Sequence, residues 1–148
     1  MTAPVHDLVI NGISLWIPGA WKVVDPTPLT DDESRGTDVT VPGRAGDIAR
    51  TKVRAAIRRQ LQLYVFGAND ADGVAHGNVQ DGFLANKLYL RANLLAHNVG
   101  TVAATYTAGS STATGDVQVL QLVTAAYDLT QHTAVGAIDV KCFDGGLS

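Results

Sequence analysis

Apolar and polar residues alternate along residues 57–65, which predicts a half-buried β-strand. The apolar face carries Ile57, Leu61, Leu63 and Val65, and the polar face carries Arg58, Gln60, Gln62 and Tyr64. A period of two with one apolar face is typical of an antiparallel sheet whose other face meets solvent. The turn-rich residues 67–73 follow and end the predicted strand.

The C-terminal part of the chain, about residues 101–143, also predicts strands. In the last of them, apolar positions 138, 140 and 142 alternate with polar positions 139 and 141. In the strand before it, Val117, Val119 and Val123 are expected on one face. Leu120 and Leu122 are expected on the other face, so that both faces would be buried.

Three segments predict turns or loops. Asn11 and Gly12 predict a two-residue hairpin turn, because both residues tolerate positive φ. Residues 25–36, with two prolines and many small polar residues, predict a loop or extended arm. Residues 108–115 predict a flexible loop of small residues.

A different period predicts one helix, at about residues 80–98, because its apolar positions recur every three or four residues. The expected core stripe consists of Leu84, Leu88, Ala92, Leu95 and Val99, widened by Phe83, Leu90 and Leu94. Asn78 or Asp81 is expected to cap its start, and Gly100 its end. Strands on either side of one helix predict an α+β fold, mainly an antiparallel β split barrel or sandwich with the α-helix packed on it.

Composition indicates a folded single domain without strong attraction to a polyanion. The 148 residues are 46% hydrophobic and 17% charged, with a net charge of −3, which excludes general disorder. Cys142 is the only cysteine, so no internal disulfide is expected, as in an intracellular protein or a virus particle. No apolar run approaches about 18 residues, so no membrane span is expected.

Basic residues are concentrated between positions 44 and 59. They are Arg44, Arg50, Lys52, Arg54, Arg58 and Arg59. Three interpretations remain open: contact with the phosphates of DNA, a solvated strand edge protected by its charges, or docking onto an acidic segment of another copy, such as residues 30–33.

Motifs for chemistry are absent from the sequence. The glycines of residues 43–46 lack the spacing of a phosphate loop, and no serine lies in a G-x-S-x-G turn. The histidines show no metal-ligand spacing; they are His6, His76, His97 and His132. The turn at Asp70 and Asp72 lacks the acidic twelfth position of a calcium loop. Cys142 is expected to be a buried hydrophobe. Trp16 and Trp21 are expected in the core, with an interface as the alternative. We therefore expect no catalytic residue, metal or cofactor.

The order of these features resembles the distal tail proteins, also called minor tail proteins, of long-tailed phages, especially those that infect actinobacteria. The resemblance is carried by LVINGISLWIPG, RGTDVTVPGRAGDIA, RRQLQLYVFGANDADG and the helical QDGFLANKLYLRANLL. Together these segments cover most of the chain.

The resemblance implies a structural protein of the virion tail, assembled in the cytoplasm of the host bacterium. Such proteins form a hexameric ring at the distal tip of the tail tube, and their ring domain is a split barrel with one helix. Residues 1–148 would be one ring-forming domain, without the large second domain that many members carry outside the ring. The expected partners are other copies of the chain, the tube protein and the tip or baseplate proteins, with DNA passing through the lumen.

Two loops, residues 25–36 and 41–52, are expected to make the contacts between subunits. The candidate interface residues are Asp31, Asp32, Glu33, Arg35, Arg44, Asp47, Arg50, Lys52 and Arg54. Other small barrel proteins of the tail remain as alternatives: a tail terminator, a tube subunit or a head–tail joining protein. A small β-barrel enzyme or ligand-binding module is an alternative of a different class, which a pocket with convergent His or Asp side chains would favour.

Overall fold

The computed structural model describes residues 6–35, 39–40, 46–48, 53–128 and 133–148. The helical elements are a 3-10 helix, Thr27–Thr30, and the α-helices α1, Val79–Leu94, and α2, Ala96–Val99. The strands are β1 His6–Ile10, β2 Ile13–Ser14, β3 Trp16–Ile17, β4 Trp21–Val23, β5 Ser34–Arg35, β6 Val39–Thr40, β7 Asp47–Ile48, β8 Val53–Arg54, β9 Ile57–Val65, β10 Val102–Ala108, β11 Ser111–Asp128 and β12 Thr133–Cys142.

Eight strands form one antiparallel sheet, in the order β2-β1-β10-β11-β12-β9-β4-β3. Two short pairs, β5 with β8 and β6 with β7, lie outside it. The predicted class is confirmed: the described chain is mainly antiparallel sheet with one main helix packed on it.

Leu15 joins the two edges of this sheet. Its N–H donates to the carbonyl of Leu8 in β1 at 2.7 Å, and its own carbonyl accepts from the N–H of Val23 in β4 at 2.9 Å. The indole N–H of Trp21 adds a bond to the Ser14 carbonyl at 2.8 Å. The sheet therefore curls back on itself, and Leu15, which is 1% exposed, lies at the seam.

The alternation predicted for β9 is confirmed. Its residues 57, 61, 63 and 65 are buried, whereas residues 58, 60 and 62 are exposed. Strand β12 buries Ile138, Val140 and Cys142 on the same side. Strands β9 and β12 pair in continuous register from Ala134 with Val65 to Cys142 with Ile57, so matching faces meet across both strands.

The predicted turn at Asn11 and Gly12 is also confirmed, with φ of 54° and 75°. The flexible loop predicted at residues 108–115 is wrong. Strand β11 already begins at Ser111, paired with Ala108, and only two residues form the turn. The threonines of this segment have high β-propensity, and the ladder with β10 gives their backbone groups partners.

The faces predicted for β11 are wrong beyond Val119. Its pairing with β12 shifts by one residue between Val119 and Gln121, so Leu120 occupies a β-bulge. A bulge reverses the alternation that follows it. Leu122 consequently packs against the core, whereas Val123 is exposed.

The helix lies close to its predicted bounds but is broken near its end. Leu95 has extended backbone angles, φ −67° and ψ 138°, and separates α1 from α2. It forms an isolated parallel bridge with Val119. The Asn78 side chain accepts from the N–H groups of Gln80 and Asp81, which confirms it as the cap, and Gly100 follows α2 with φ 71°.

The predicted core stripe of the helix is wrong at Leu84, Leu88 and Ala92 and confirmed at its other positions. Residues 82, 86, 90 and 94 are the buried positions of α1. Leu84 is 54% exposed and Leu88 is 40% exposed, and Ala92 is exposed as well. Of the expected set, the structure buries Leu90 and Leu94 and packs Phe83, Leu95 and Val99 partly against the core.

Asn86 and Gly82 explain this orientation of the helix. The Asn86 side chain is 2% exposed, and its amide N–H group donates to the carbonyls of Phe66 and Asn69, each at 2.7 Å. Gly82 lies directly against the backbone of Gly67, where any Cβ would overlap the carbonyl oxygen. Close backbone approach and satisfied polar groups thus turn a polar and a small residue inward.

The predicted loop at residues 25–36 contains the 3-10 helix and strand β5. Leu29 within it is 0% exposed, so the segment is anchored in the core. Of the two tryptophans, Trp21 is buried as expected. The prediction for Trp16 is wrong, because its side chain is 48% exposed.

Candidate subunit interface

The acidic segment and the basic segment meet within one chain. Arg54 Nε lies 2.8 Å from Asp32 Oδ2. Arg59 Nη2 lies 3.2 Å from Glu33 Oε1, and Arg59 Nε lies 3.7 Å from Asp31 Oδ2. All three acidic side chains remain about half exposed or more, so each pair contributes only about 0–1 kcal/mol to stability.

The C-terminal residues form hydrogen bonds with the same region. Arg54 Nη2 donates to the Gly146 carbonyl at 2.7 Å, and the Leu147 N–H donates to the Leu29 carbonyl at 2.7 Å. Leu147 is 4% exposed. Arg54 therefore links the acidic segment to the C-terminal residues, of which Leu147 is buried beneath this charged surface.

The structure brings together Asp31, Asp32, Glu33 and Arg54 of the candidate interface residues, and adds Arg59. Arg35 lies on β5, which pairs with β8, and Asp47 lies on β7, which pairs with β6. Arg44, Arg50 and Lys52 lie outside the described residues. The role of all nine in subunit contacts remains a prediction.

The side chains that could act as nucleophiles or metal ligands make structural contacts. Cys142 is 1% exposed, and burial raises the pKa of its thiol, which suits the expected small hydrophobe and disfavours a thiolate. His76 Nε2 lies 3.1 Å from Asn86 Oδ1. Asp70 Oδ1 accepts from the N–H groups of Asp72 and Val74, as a turn requires. Across the described residues, no group of three or more His, Cys, Asp or Glu side chains is placed to hold a metal.

One cavity of about 320 Å³ opens beside the seam of the sheet, and we call it the Trp16 cavity. It is lined by His6, Leu8, Leu15, Trp16, Val23, Val24, Asp25, Pro26, Thr27 and Tyr106. His6 Nδ1 lies 3.0 Å from the Tyr106 hydroxyl, and Asp25 Oδ1 accepts from the Thr27 N–H and hydroxyl at 3.0 and 2.6 Å. The walls are mainly apolar, and His6, Tyr106 and Asp25 are each held by a hydrogen bond within the chain, so the cavity suits an apolar side chain better than catalysis.

A second exposed feature is the outer side of α1. Leu84, Leu88 and Arg91 follow one another at spacings of four and three residues, and we call them the leucine face. Such residues share one side of a helix. The apolar spacing had assigned these leucines to the core. The signal for their exposure is an asparagine, Asn86, on the opposite side of the helix.

Comparison with known proteins finds similarity only at the level of fold. No family model and no curated protein matches the sequence. The chain superposes on the Dit protein (gp 19.1) of phage SPP1, described as a paradigm of the hub adsorption apparatus in phages infecting Gram-positive bacteria, with a TM-score of 0.55 and 13% identity over 93% of this chain. It superposes on a chain of the phage p2 baseplate in its activated conformation with Sr, with a TM-score of 0.58 and 12% identity over 97% of this chain.

The chain spans about half the length of both solved proteins, 49% and 46% respectively. At these identities the comparison shows a shared fold. Within the described residues, none of the helices has the length and apolar character needed to span a membrane. The described chain thus has the fold found in these phage hub and baseplate chains.

Proposed function

We propose that this protein is a non-enzymatic structural component of a phage tail, which forms a hexameric ring at the distal tip of the tail tube and carries the tip proteins. The observation that carries the proposal is the superposition of nearly the whole chain on two phage proteins, from a hub adsorption apparatus and a baseplate. The sequence resemblance to distal tail proteins points independently in the same direction.

The surface supports assembly as the mode of action. Exposed apolar side chains occur on α1, beside the sheet seam and along β11, and include Trp16, Leu84, Leu88, Leu120 and Val123. Leu84 and Leu88 adjoin one helical turn apart, and adjoining apolar side chains of this kind favour contacts with other proteins. The proposed partners are further copies of the chain, the tube protein and the tip or baseplate proteins, and the nine candidate charged residues are proposed to contribute to these contacts.

Two measurements test the proposal. Mass photometry and negative-stain electron microscopy of the purified chain should show six-membered rings with a central hole. Antibody labelling of intact virions should then mark the end of the tail tube farthest from the head. Label at the head-proximal end or along the tube would instead indicate a terminator, a joining protein or a tube subunit, and absence from the particle would refute a virion role.

A further inference from the structure

We propose that the leucine face of α1 binds the Trp16 cavity of a neighbouring copy, and that this contact repeats around the ring. The inference depends on the proposed ring and specifies which two surfaces of the chain form its joint.

The leucine face has the exposure expected of a surface that contacts a partner. Leu84 and Leu88 are one turn apart and 54% and 40% exposed, whereas Asn86 between them is 2% exposed. A surface helix of a globular domain normally directs its leucines toward the core and its amides toward solvent. Two apolar side chains at a spacing of four residues are the anchors with which a helix binds a groove.

The Trp16 cavity offers a matching site. Leu8, Leu15 and Val23 form buried walls, and Trp16 and Val24 stand exposed around the opening, at 48% and 45%. The volume of about 320 Å³ is roughly twice that of a cavity of about 150 Å³ that accepts benzene. The cavity therefore has room for two aliphatic side chains.

Charge complementarity favours another copy of this chain as the occupant. Arg91 lies on the leucine face and is exposed; among the described residues it forms no ion pair. Asp25 lies at the cavity and receives both Thr27 hydrogen bonds on Oδ1. These bonds lower the pKa of Asp25, and an aspartate is ionised at neutral pH. A bound leucine face brings a cation toward this anion, which orients the contact.

The two surfaces lie on different parts of the chain, since the cavity lining includes no residue of α1. A contact between two different surfaces repeats head to tail and forms a ring when the rotation closes. A symmetric contact of two leucine faces would end at a dimer and leave the cavity empty.

The first test compares acidic substitutions on each surface. We expect the double variant Leu84→Glu/Leu88→Glu and the single variant Val24→Glu each to abolish rings in mass photometry. Each leucine should contribute about 30-fold or more to the apparent Kd of the contact. Val74→Glu is the matched control, because Val74 is apolar and 61% exposed but lies on neither surface. Circular dichroism melting curves should show that all three variants remain folded.

The second test mixes the two assembly-defective variants. Each retains the surface that the other lacks, so the mixture should form a discrete dimer, whereas each variant alone stays monomeric. A mixture that stays monomeric contradicts the head-to-tail contact. Dimerisation of the Val24→Glu variant alone would show a symmetric contact and also contradict it.

The third test exchanges charges. Asp25→Arg and Arg91→Asp should each weaken assembly by about tenfold, and the double variant should recover most of it, as for a close charge pair. Rings that persist in the leucine double variant would refute this joint while leaving the proposed function standing. A wild-type chain that never assembles would also refute the joint, and virion labelling tests the tail function separately.

Discussion

Strand β9 and helix α1 both carry a regular apolar pattern, yet only the strand buries its apolar face along its whole length. In β9 the apolar face is buried and the polar face meets solvent. In α1 an asparagine and a glycine are buried, and two leucines point outward. The difference teaches that periodicity predicts burial where apolar side chains are the only ones that can pack in the interior. It can fail where a polar side chain has hydrogen-bond partners in the interior.

The strand should be the more costly element to disrupt. Leu61 is 1% exposed and pairs with Ile138, so Leu61→Ala removes core contacts and leaves a cavity. We expect the free energy of unfolding, measured by urea denaturation, to fall by about 2–5 kcal/mol. Gln62→Ala, on the exposed face of the same strand, should change it by less than about 0.5 kcal/mol. Equal effects at the two positions would refute the burial pattern.

Restoring the conventional pattern of the helix should destabilise the protein. Asn86→Leu removes the amide that donates hydrogen bonds to the carbonyls of Phe66 and Asn69. Both carbonyls then lose this donor. We expect a loss of about 1–3 kcal/mol in the same denaturation experiment.

The converse change, Leu84→Asn, provides the control for the helix. It should cost less than about 1 kcal/mol, because only helix propensity is lost at an exposed position. If Asn86→Leu were stabilising and Leu84→Asn strongly destabilising, the helix would present its predicted stripe to the core.

The charged pairs should matter less than either apolar element. Arg59→Gln removes the contacts with Asp31 and Glu33, and we expect a loss of about 1 kcal/mol or less. The loss should shrink in 1 M salt, where the screening length is about 3 Å. Lys87→Gln, which removes a cation without an ion pair among the described residues, should show no such salt dependence.

The smallest effect on stability is expected on the leucine face. Leu88→Gln should change the free energy of unfolding of the monomer by less than about 0.5 kcal/mol, because the side chain is already exposed and both residues favour helices. Its effect should appear in assembly instead. A large loss of monomer stability would mean that Leu88 is part of the core.

Much of the fold could be predicted from local patterns. The hairpin turn at Asn11 and Gly12, the alternation in β9, the cap at Asn78 and the helix end at Gly100 each depend on residues close in sequence. The bulge at Leu120 could not be predicted in this way. It depends on the register with β12, and a single extra residue reverses the side chains that follow it as far as the second register shift, between Thr124 and Ala126.

The charged segments of the candidate interface were predictable, whereas their role in subunit contacts stays a prediction. Local composition indicated an acidic and a basic segment, and the structure pairs Asp31, Asp32 and Glu33 with Arg54 and Arg59 in the same chain. Sequence could not distinguish a partner within the chain from one in another copy, because opposite charges attract equally in both cases. The C-terminal residues that bind Arg54 lie 92 positions away, beyond the reach of any local pattern.

The sequence by itself determined the fold class: the period-two segments, one helix and the turn residues predict an α+β domain built on antiparallel strands. Only the tertiary structure decided that Leu15 closes the sheet, that Asn86 faces inward and that Leu84 and Leu88 face outward. The physical reason is that backbone and side-chain preferences act over a few residues, whereas burial depends on which distant groups can satisfy a polar atom or approach a glycine closely.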